Sequence, residues 1–342
     1  SPTPDFVTRK EDASNPVQTD FCVDDIVYFQ NMSTAPGGSN MGYTWRFYDG
    51  PNDSSPLLAT RNQRHPVWSY STGGAKLVRL TVTDRNAVGN CASVVEKVIN
   101  VYPTTIAQIN ASQTNFCKTE GDAISFPVTF TDVSTGATSN TRYRWEFYDE
   151  NNNLYQSYPA VGFSTDKLGP YVENYTNPGR YKVVLITKDN VTDCDTRDEK
   201  IINVYLNPVA DFENTLTCEG EEIHFINKST LNSINGNTLW SMEWDFDYDG
   251  TTFTASETHT GSFPDTTTKL FPAGARQVAL KVAEDQYGCS ATVVRNIDVF
   301  QKPNTDFSKD KINGCSPLEL IIKNDGHASQ PVTIDQYTWS VD

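Results

Sequence analysis

The sequence has few basic residues and no long apolar run. Lys and Arg number 27 against 43 Asp and Glu among 342 residues, so the formal net charge is −16 at pH 7. Proteins that bind nucleic acid present clustered cations to the phosphates, and this balance argues against such a partner. No apolar segment approaches the roughly 20 residues that a membrane-spanning helix needs, so we expect no membrane insertion of this segment.

Signatures of catalysis are also missing. The four histidines are scattered, and the sequence contains no H-E-x-x-H, G-x-S-x-G, G-x-G-x-x-G or P-loop pattern. Carboxylates are plentiful, but small stacked domains offer no evident deep cleft in which a pair of them could act. We therefore predict that the chain is not an enzyme and needs no catalytic cofactor.

Stretches with helical periodicity are scarce, whereas short alternating runs are common. "LVRLTVTD" at residues 77–84 and "IINVY" at residues 201–205 alternate apolar and polar side chains, and Gly, Pro, Asn or Asp residues bound such runs. Alternation with period two is typical of half-buried strands. The sequence therefore predicts an all-β protein.

One pattern recurs about every hundred residues. It consists of a cysteine before an apolar run, a tryptophan, a Gly-x-x-x-Val-x-Leu run, an Asp, a second cysteine and a closing Ile-x-Val near a proline. The tryptophan motifs are "WRFYDG" at Trp45, "WEFYDE" at Trp145, "WDFDYDG" at Trp244 and "WSVD" at Trp339. The glycines are Gly74, Gly179 and Gly274, and the acids after them are Asp84, Asp189 and Asp285. We predict repeats over residues 1–103, 104–206 and 207–302, and a truncated fourth over residues 303–342.

The tryptophans are predicted to be core residues rather than catalytic ones. Alternate side chains of a strand share a face, and every copy places large apolar groups on the face of its tryptophan. The polar residues between them differ from copy to copy, whereas a catalytic element would keep its polar residues. Each repeat is therefore expected to be a sandwich built around Trp45, Trp145, Trp244 or Trp339.

The seven cysteines follow the repeats, with two in each complete copy and one in the fourth. We expect pairing within repeats, as Cys22 with Cys91, Cys117 with Cys194, and Cys218 with Cys289, which leaves Cys315 without a partner. Such bonds persist in an oxidising compartment, so we expect an exported, extracellular protein. The alternative is that these are buried free cysteines of a cytosolic chain.

The tryptophan motif, the Gly-x-x-x-Val-x-Leu run and the closing "NIDVF" together resemble the PKD (polycystic kidney disease) domain, an immunoglobulin-like sandwich with a W-D-F-G-D-G-like hallmark. Repeats one and two depart from the hallmark by placing Tyr where the family has Gly, and repeat four departs from it because its "WSVD" is cut short. Tandem PKD-like copies with a cysteine pair look like the stalks of large surface proteins of Bacteroidota, including gliding-motility adhesins exported by the type 9 system. The resemblance implies a cell-surface location.

Short, proline-containing joints between repeats predict an elongated, semi-rigid rod. We interpret the chain as a non-catalytic stalk segment of a large adhesin, whose partners are neighbouring repeats and surface polysaccharide or other surface proteins. The alternatives are spacer or carbohydrate-binding modules of a secreted polysaccharidase or protease, and a cell-envelope layer protein.

Two features could carry chemistry. Asp245, Asp247 and Asp249 follow the D-x-D-x-D-G spacing that begins a calcium loop. The twelfth position is Ser256, Glu257 lies one place late, and the alternative is a hairpin turn rich in acids. Four aromatic side chains that the core pattern does not explain could stack on sugar rings, namely Trp68, Tyr155, Tyr158 and Trp240.

Overall fold

The computed structural model describes residues 1–35, 40–86, 91–231, 240–260, 266–284, 287–311, 313, 317, 319–328 and 336–340. Over these residues the chain forms strands joined by turns, which confirms the all-β prediction. The described part of the chain contains no helix of the length and apolarity that crossing a bilayer would take.

In the described residues twenty-five strands follow one another. The first repeat contains β1 (Phe6–Lys10), β2 (Asp20–Cys22), β3 (Val27–Asn31), β4 (Met41–Tyr48), β5 (Leu57–Arg61), β6 (Val67–Trp68), β7 (Gly74–Asp84) and β8 (Ala92–Tyr102). The second contains β9 (Ile109–Ala111), β10 (Asn115–Lys118), β11 (Phe126–Asp132), β12 (Thr141–Tyr148), β13 (Leu154–Tyr158), β14 (Tyr171–Tyr175), β15 (Gly179–Asp189) and β16 (Asp195–Leu206). The third contains β17 (Phe212–Asn214), β18 (Glu222–Asn227), β19 (Trp240–Asp245), β20 (Glu257–Thr260), β21 (Thr266–Leu270), β22 (Gly274–Glu284) and β23 (Ser290–Val299), and the fourth contains β24 (Phe307–Lys309) and β25 (Ile322–Asn324).

The sheets repeat in the same order. The first repeat has the sheets β1-β3-β6 and β2-β8-β7-β4-β5, and the second has β9-β11-β14 and β10-β16-β15-β12-β13. The third has β17-β18-β21 and β20-β19-β22-β23. Pairing is antiparallel except for β2 with β8 and β10 with β16, which run parallel. Each complete repeat is thus an immunoglobulin-like two-sheet sandwich, and the chain is a tandem array of them.

By internal contacts the chain divides into two units. The first comprises Ser1–Thr114, Pro127–Asn174 and Arg180–Ile202, and the second comprises Asn115–Phe126, Tyr175–Gly179 and Asn203–Asp342. The division passes through the second repeat. Of the two disulfide bonds described below, one lies within the first unit and the other within the second.

The cores are built around three of the four tryptophans. Trp45, Trp145 and Trp244 are at most 1 % exposed. The ring of Trp45 lies edge-on to Phe6 at 5.1 Å, and that of Trp244 lies edge-on to Phe212 at 5.0 Å. Because each phenylalanine comes from the sheet opposite its tryptophan, these contacts join the two layers of a sandwich.

Trp339 differs from the other three, because it is 49 % exposed and contacts Phe307 at 5.8 Å. In the first repeat the Gly-x-x-x-Val-x-Leu strand, β7, pairs directly with β4 and adds Val78, Leu80 and Val82 to the core cluster. Trp339 is thus half exposed, whereas the sequence predicted a core residue.

The aligned glycines begin long strands with a left-handed backbone. Gly74, Gly179 and Gly274 are the first residues of β7, β15 and β22 and have φ of 112°, 157° and 133°. Residues with a Cβ rarely adopt such angles, which accounts for glycine in all three copies. The acid ten residues later is Glu284 in the third repeat rather than the expected Asp285, which lies outside the described residues.

The predicted disulfide pairing is wrong. The bonds join Cys22 to Cys194 and Cys117 to Cys289, each across 172 residues and from one repeat to the next, and Cys91 and Cys218 are free. Cys315 lies outside the described residues.

The reason is the length of the closing strand. Cys22 lies beside Tyr102, the last residue of β8, whereas Cys91 immediately precedes Ala92, the first. A strand of this length spans about 35 Å, while the Cα atoms of a disulfide lie within about 7 Å of each other. A bond within the repeat is therefore sterically excluded.

Candidate functional site

The described features that set this chain apart are its two cross-repeat disulfides and the side chains around them. Cys117 lies on β10 in register with Tyr205 of β16. The ring of Tyr205 stacks on Tyr287, two residues before Cys289, at 3.9 Å between centroids and 15° between planes. A covalent bond and an aromatic stack thus join the end of the second repeat to the turn before β23 of the third.

Backbone and buried polar contacts reinforce this junction. The Lys118 ammonium, 7 % exposed, donates to the carbonyl oxygen of Thr176 at 2.7 Å. The N–H of Asn207 donates to the carbonyl oxygen of Lys118 at 2.8 Å. A buried ammonium group needs a hydrogen-bond acceptor, and that of Lys118 finds it in a backbone carbonyl oxygen. The side chain therefore ties β10 to the residue that follows β14.

The first junction uses different side chains around the same bond. Cys22 lies in register with Tyr102, whose hydroxyl donates to Asp20 at 3.0 Å. That hydrogen bond raises the pKa of Tyr102. Asn100 donates to the same carboxylate at 2.9 Å and is the largest of the contacts that lower the pKa of Asp20. The short edge strand is therefore held by side chains as well as by its backbone.

The three aspartates of the predicted calcium loop have different hydrogen-bond and ion-pair partners. Asp245, 3 % exposed, accepts the N–H groups of Asp247 at 3.1 Å and Thr254 at 2.7 Å. Asp249 accepts the N–H groups of Thr251 and Thr252, both at 2.7 Å. These hydrogen bonds lower the pKa of Asp249, with that from Thr252 the largest cause.

Asp247 differs from Asp245 and Asp249, because its carboxylate pairs with an arginine side chain. Its side chain is 80 % exposed and lies 3.4 Å from the Arg276 guanidinium. Within the described residues no three His, Cys, Asp or Glu side chains gather in a way that could hold a metal ion. Asp245 and Asp249 therefore cap backbone N–H groups of the loop, whereas Asp247 pairs with Arg276. Calcium binding by this loop stays a prediction.

A buried lysine in the first repeat is a feature that the sequence analysis missed. Lys76 is 2 % exposed, and its ammonium donates to Asp49 and, at 2.8 Å, to the Thr72 hydroxyl. The hydrogen bond from Lys76 is the main cause of the lowered pKa of Asp49. The residue two places after the strand-initial glycine is Arg276 in the third repeat, which also reaches its acidic loop. The shared offset from the glycine was the signal that could have identified the pair.

The histidines take structural roles where their contacts are described. His65 accepts the N–H of Asn31 at 3.1 Å, and burial lowers its pKa. His259 lies 2.5 Å from Glu257, which also accepts the hydroxyl of Thr267 at 2.9 Å. Since β20 and β21 belong to different sheets, the second group connects the two layers of the third repeat.

The aromatic side chains proposed for sugar contact fall into two groups. Trp68 stacks on Phe47 at 5.5 Å and packs against the first core, and Tyr158 stacks on Tyr171 at 4.2 Å. Tyr155 is 48 % exposed, with its hydroxyl 3.5 Å from Glu173, whose pKa is raised by burial. Tyr155 also lines a shallow depression of about 490 Å³ formed by residues 154–158 and Ala160. The Trp240 side chain lies outside the described part.

Comparison with known proteins assigns this chain to no family. No model of a known protein family matches the chain, and no curated protein matches it. Three N-terminal domains of the bacteriophage RB49 highly immunogenic outer capsid protein (Hoc) align with 14% identity over 87% of this chain and 97% of that one, with a TM-score of 0.37. Extracellular domains 3–5 of Drosophila OTK align with 9% identity over 86% and 97%, with a TM-score of 0.33. The FN1–FN3 domains of chicken CNTN1 align with 11% identity over 88% and 100%, with a TM-score of 0.26.

Proposed function

We propose that this chain is a non-catalytic, load-bearing stalk segment of a large cell-surface adhesin. The observation that carries the proposal is the pair of disulfides that join successive repeats, Cys22 to Cys194 and Cys117 to Cys289. Disulfides persist in oxidising compartments, so they favour an extracellular location. Bonds between repeats are suited to transmitting force, because a covalent link carries load directly from one sandwich to the next and limits how far the chain can extend.

A stalk of PKD-like repeats on the surface of a gliding member of the Bacteroidota, exported by the type 9 system, is the more specific form of this proposal. It rests on the tryptophan motif and the tandem arrangement in the sequence. The neighbouring repeats are the proposed partners in the stalk, and surface polysaccharide or other surface proteins are proposed to contact its tip.

The test of the stalk is mechanical. If the chain is pulled from its ends while oxidised, the shortest covalent path crosses both disulfides, so full extension is expected to reach roughly half that of the reduced chain, at ~3.5 Å per residue. Small-angle scattering is expected to give a maximum dimension well over ~100 Å, from three and a half repeats each about 35 Å long. Equal extension in both redox states, or a compact particle, would contradict the proposal.

The exposed Tyr155 supports a second candidate, a carbohydrate-binding spacer of a secreted hydrolase. An exposed ring beside a carboxylic acid is suited to stacking on a sugar and accepting its hydroxyl groups. Binding of the whole chain to a polysaccharide array, lost in Tyr155→Ala and retained in Tyr28→Ala, would favour this candidate. Absence of binding leaves the stalk as the function.

A further inference from the structure

The two disulfides follow one rule. In each, the first cysteine of a repeat bonds to the second cysteine of the next repeat, and the separation is 172 residues both times. The Cα atoms lie 5.6 Å and 5.5 Å apart. Under that rule the first repeat offers an unused second cysteine, Cys91, and the third repeat an unused first cysteine, Cys218. Among the cysteines that the structure describes, these two are the free ones.

Cys218 has the local structure of the bonded first cysteines. It lies in parallel register with Phe300, as Cys22 does with Tyr102 and Cys117 with Tyr205. The residue after it donates its N–H to the carbonyl oxygen of Phe300 at 2.8 Å, and Val23 makes the same bond to Tyr102 at 2.9 Å. The thiol is thus presented at the end of the closing strand in all three repeats.

Cys91 has the local structure of the bonded second cysteines. Its carbonyl oxygen accepts the N–H of Asp84 at 2.9 Å. The carbonyl oxygen of Cys194 accepts from Asp189, and that of Cys289 from Glu284, both at 2.8 Å. This bond closes the turn between the two long strands of each repeat, so the three cysteines occupy one structural position.

We propose that Cys218 and Cys91 are sites for further disulfides of the same kind, which continue a ladder through neighbouring repeats. Cys218 bonds to the second cysteine of a repeat that follows it, and Cys91 to the first cysteine of a repeat that precedes it. Each partner is a repeat of this type in the same polypeptide, because both observed bonds join successive repeats of one chain.

Formation of each bond is a two-electron oxidation. The Sγ–H bonds of both cysteines break, the Sγ–Sγ bond forms, and a disulfide oxidant such as oxidised glutathione takes up the two electrons and two protons to give two thiols. The first cysteine thiolate attacks one sulfur of that disulfide and releases one glutathione thiolate. The second cysteine thiolate then attacks the protein sulfur of the resulting mixed disulfide and releases the other glutathione thiolate, and the two released thiolates take up the two protons.

The first experiment uses the 342-residue chain, alkylated without reduction and mapped by mass spectrometry. We expect Cys91 and Cys218 to be alkylated and the two cross-repeat bonds to be intact. Covalent multimers through Cys91 and Cys218 on a non-reducing gel would place the partner in another copy of the chain and overturn the proposal.

The second experiment supplies the missing repeat. Residues 304–342 are replaced by a second copy of residues 209–302, and the chain is oxidised with a glutathione mixture. We expect a bond from Cys218 to the added copy of Cys289, and free Cys218 when that added cysteine is replaced by serine. In a second variant, residues 304–342 are replaced by a copy of residues 104–206, and we expect a bond from Cys218 to the added copy of Cys194. This second variant keeps the test valid if one added copy does not fold. Free Cys218 beside a protease-resistant added repeat would refute the ladder.

Discussion

At the scale of the residue, buried carboxylates differ sharply from exposed ones of the same loop. Replacing Asp245 by Ala leaves two loop N–H groups without their acceptor, so we expect the third repeat to lose about 1–3 kcal/mol of stability. Asp247→Ala, which removes only an exposed ion pair, is expected to change it by less than about 1 kcal/mol. Hydrogen exchange of peptides from β22 and β23 in the whole chain measures both.

The same variants address calcium. Because Asp245 and Asp249 accept backbone N–H groups and Asp247 pairs with Arg276, we expect millimolar calcium, followed by a chelator, to leave exchange in β22 and β23 of the wild-type chain unchanged. Slower exchange with calcium that Asp245→Ala abolishes would show that the loop binds calcium.

The pair of Lys76 and Asp49 predicts a pH-dependent stability in the first repeat. The pKa of Asp49 is lowered in the folded chain, mainly by the hydrogen bond from Lys76. Its stabilising contribution is therefore complete above the unfolded pKa of about 3.9 and is lost as the pH falls through the lowered folded pKa.

Asp49→Asn is accordingly expected to destabilise the chain by about 1–3 kcal/mol at pH 7 and by progressively less below about pH 4. Calorimetric melting of variant and wild type at several pH values gives the difference. The control is Asp53→Asn, since Asp53 is an exposed partner of Arg79. A deficit for Asp49→Asn that stays constant down to pH 2 would show that the carboxylate charge contributes nothing.

At the scale of the element, the strand-initial glycines are a common structural requirement. Gly74 and Gly274 have positive φ and open space where a Cβ would lie, so alanine there meets backbone strain without a clash. We expect Gly74→Ala and Gly274→Ala each to cost about 1–3 kcal/mol. Ala275→Ser, an exposed change at the next position of β22, should stay within about 0.5 kcal/mol. Thermal melting compares the three, and equal effects of Gly274→Ala and Ala275→Ser would contradict the strain.

The sequence predicted the strands and their buried faces correctly, but it did not predict which cysteines pair. The alternation around Trp45 and Trp244 predicted strands and a buried face, because side-chain direction in a strand depends only on neighbouring residues. The cysteine pairing depended on which end of an eleven-residue strand each thiol occupies and on where the next repeat begins. Spacing along the sequence does not contain that information.

At the scale of the whole molecule, the cross-repeat disulfides link successive repeats covalently, in addition to the backbone. Cleavage of the backbone at a joint cannot release the repeats on either side while a disulfide spans the cut. With pairing inside each repeat, the same cut would release them. Controlled proteolysis therefore distinguishes the two arrangements directly.

A specific protease site inserted after Pro103 or after Pro208 provides the experiment. After cutting at the first site, we expect the pieces to stay together on a non-reducing gel through the bond from Cys22 to Cys194 and to separate on reduction. The second cut is expected to behave alike through Cys117 and Cys289. Cys194→Ser should release the pieces of the first cut alone and Cys289→Ser those of the second, whereas Cys91→Ser should release neither. Separation of the unmutated, oxidised pieces would show that the cysteines pair within repeats, because only a bond that crosses the joint resists the cut.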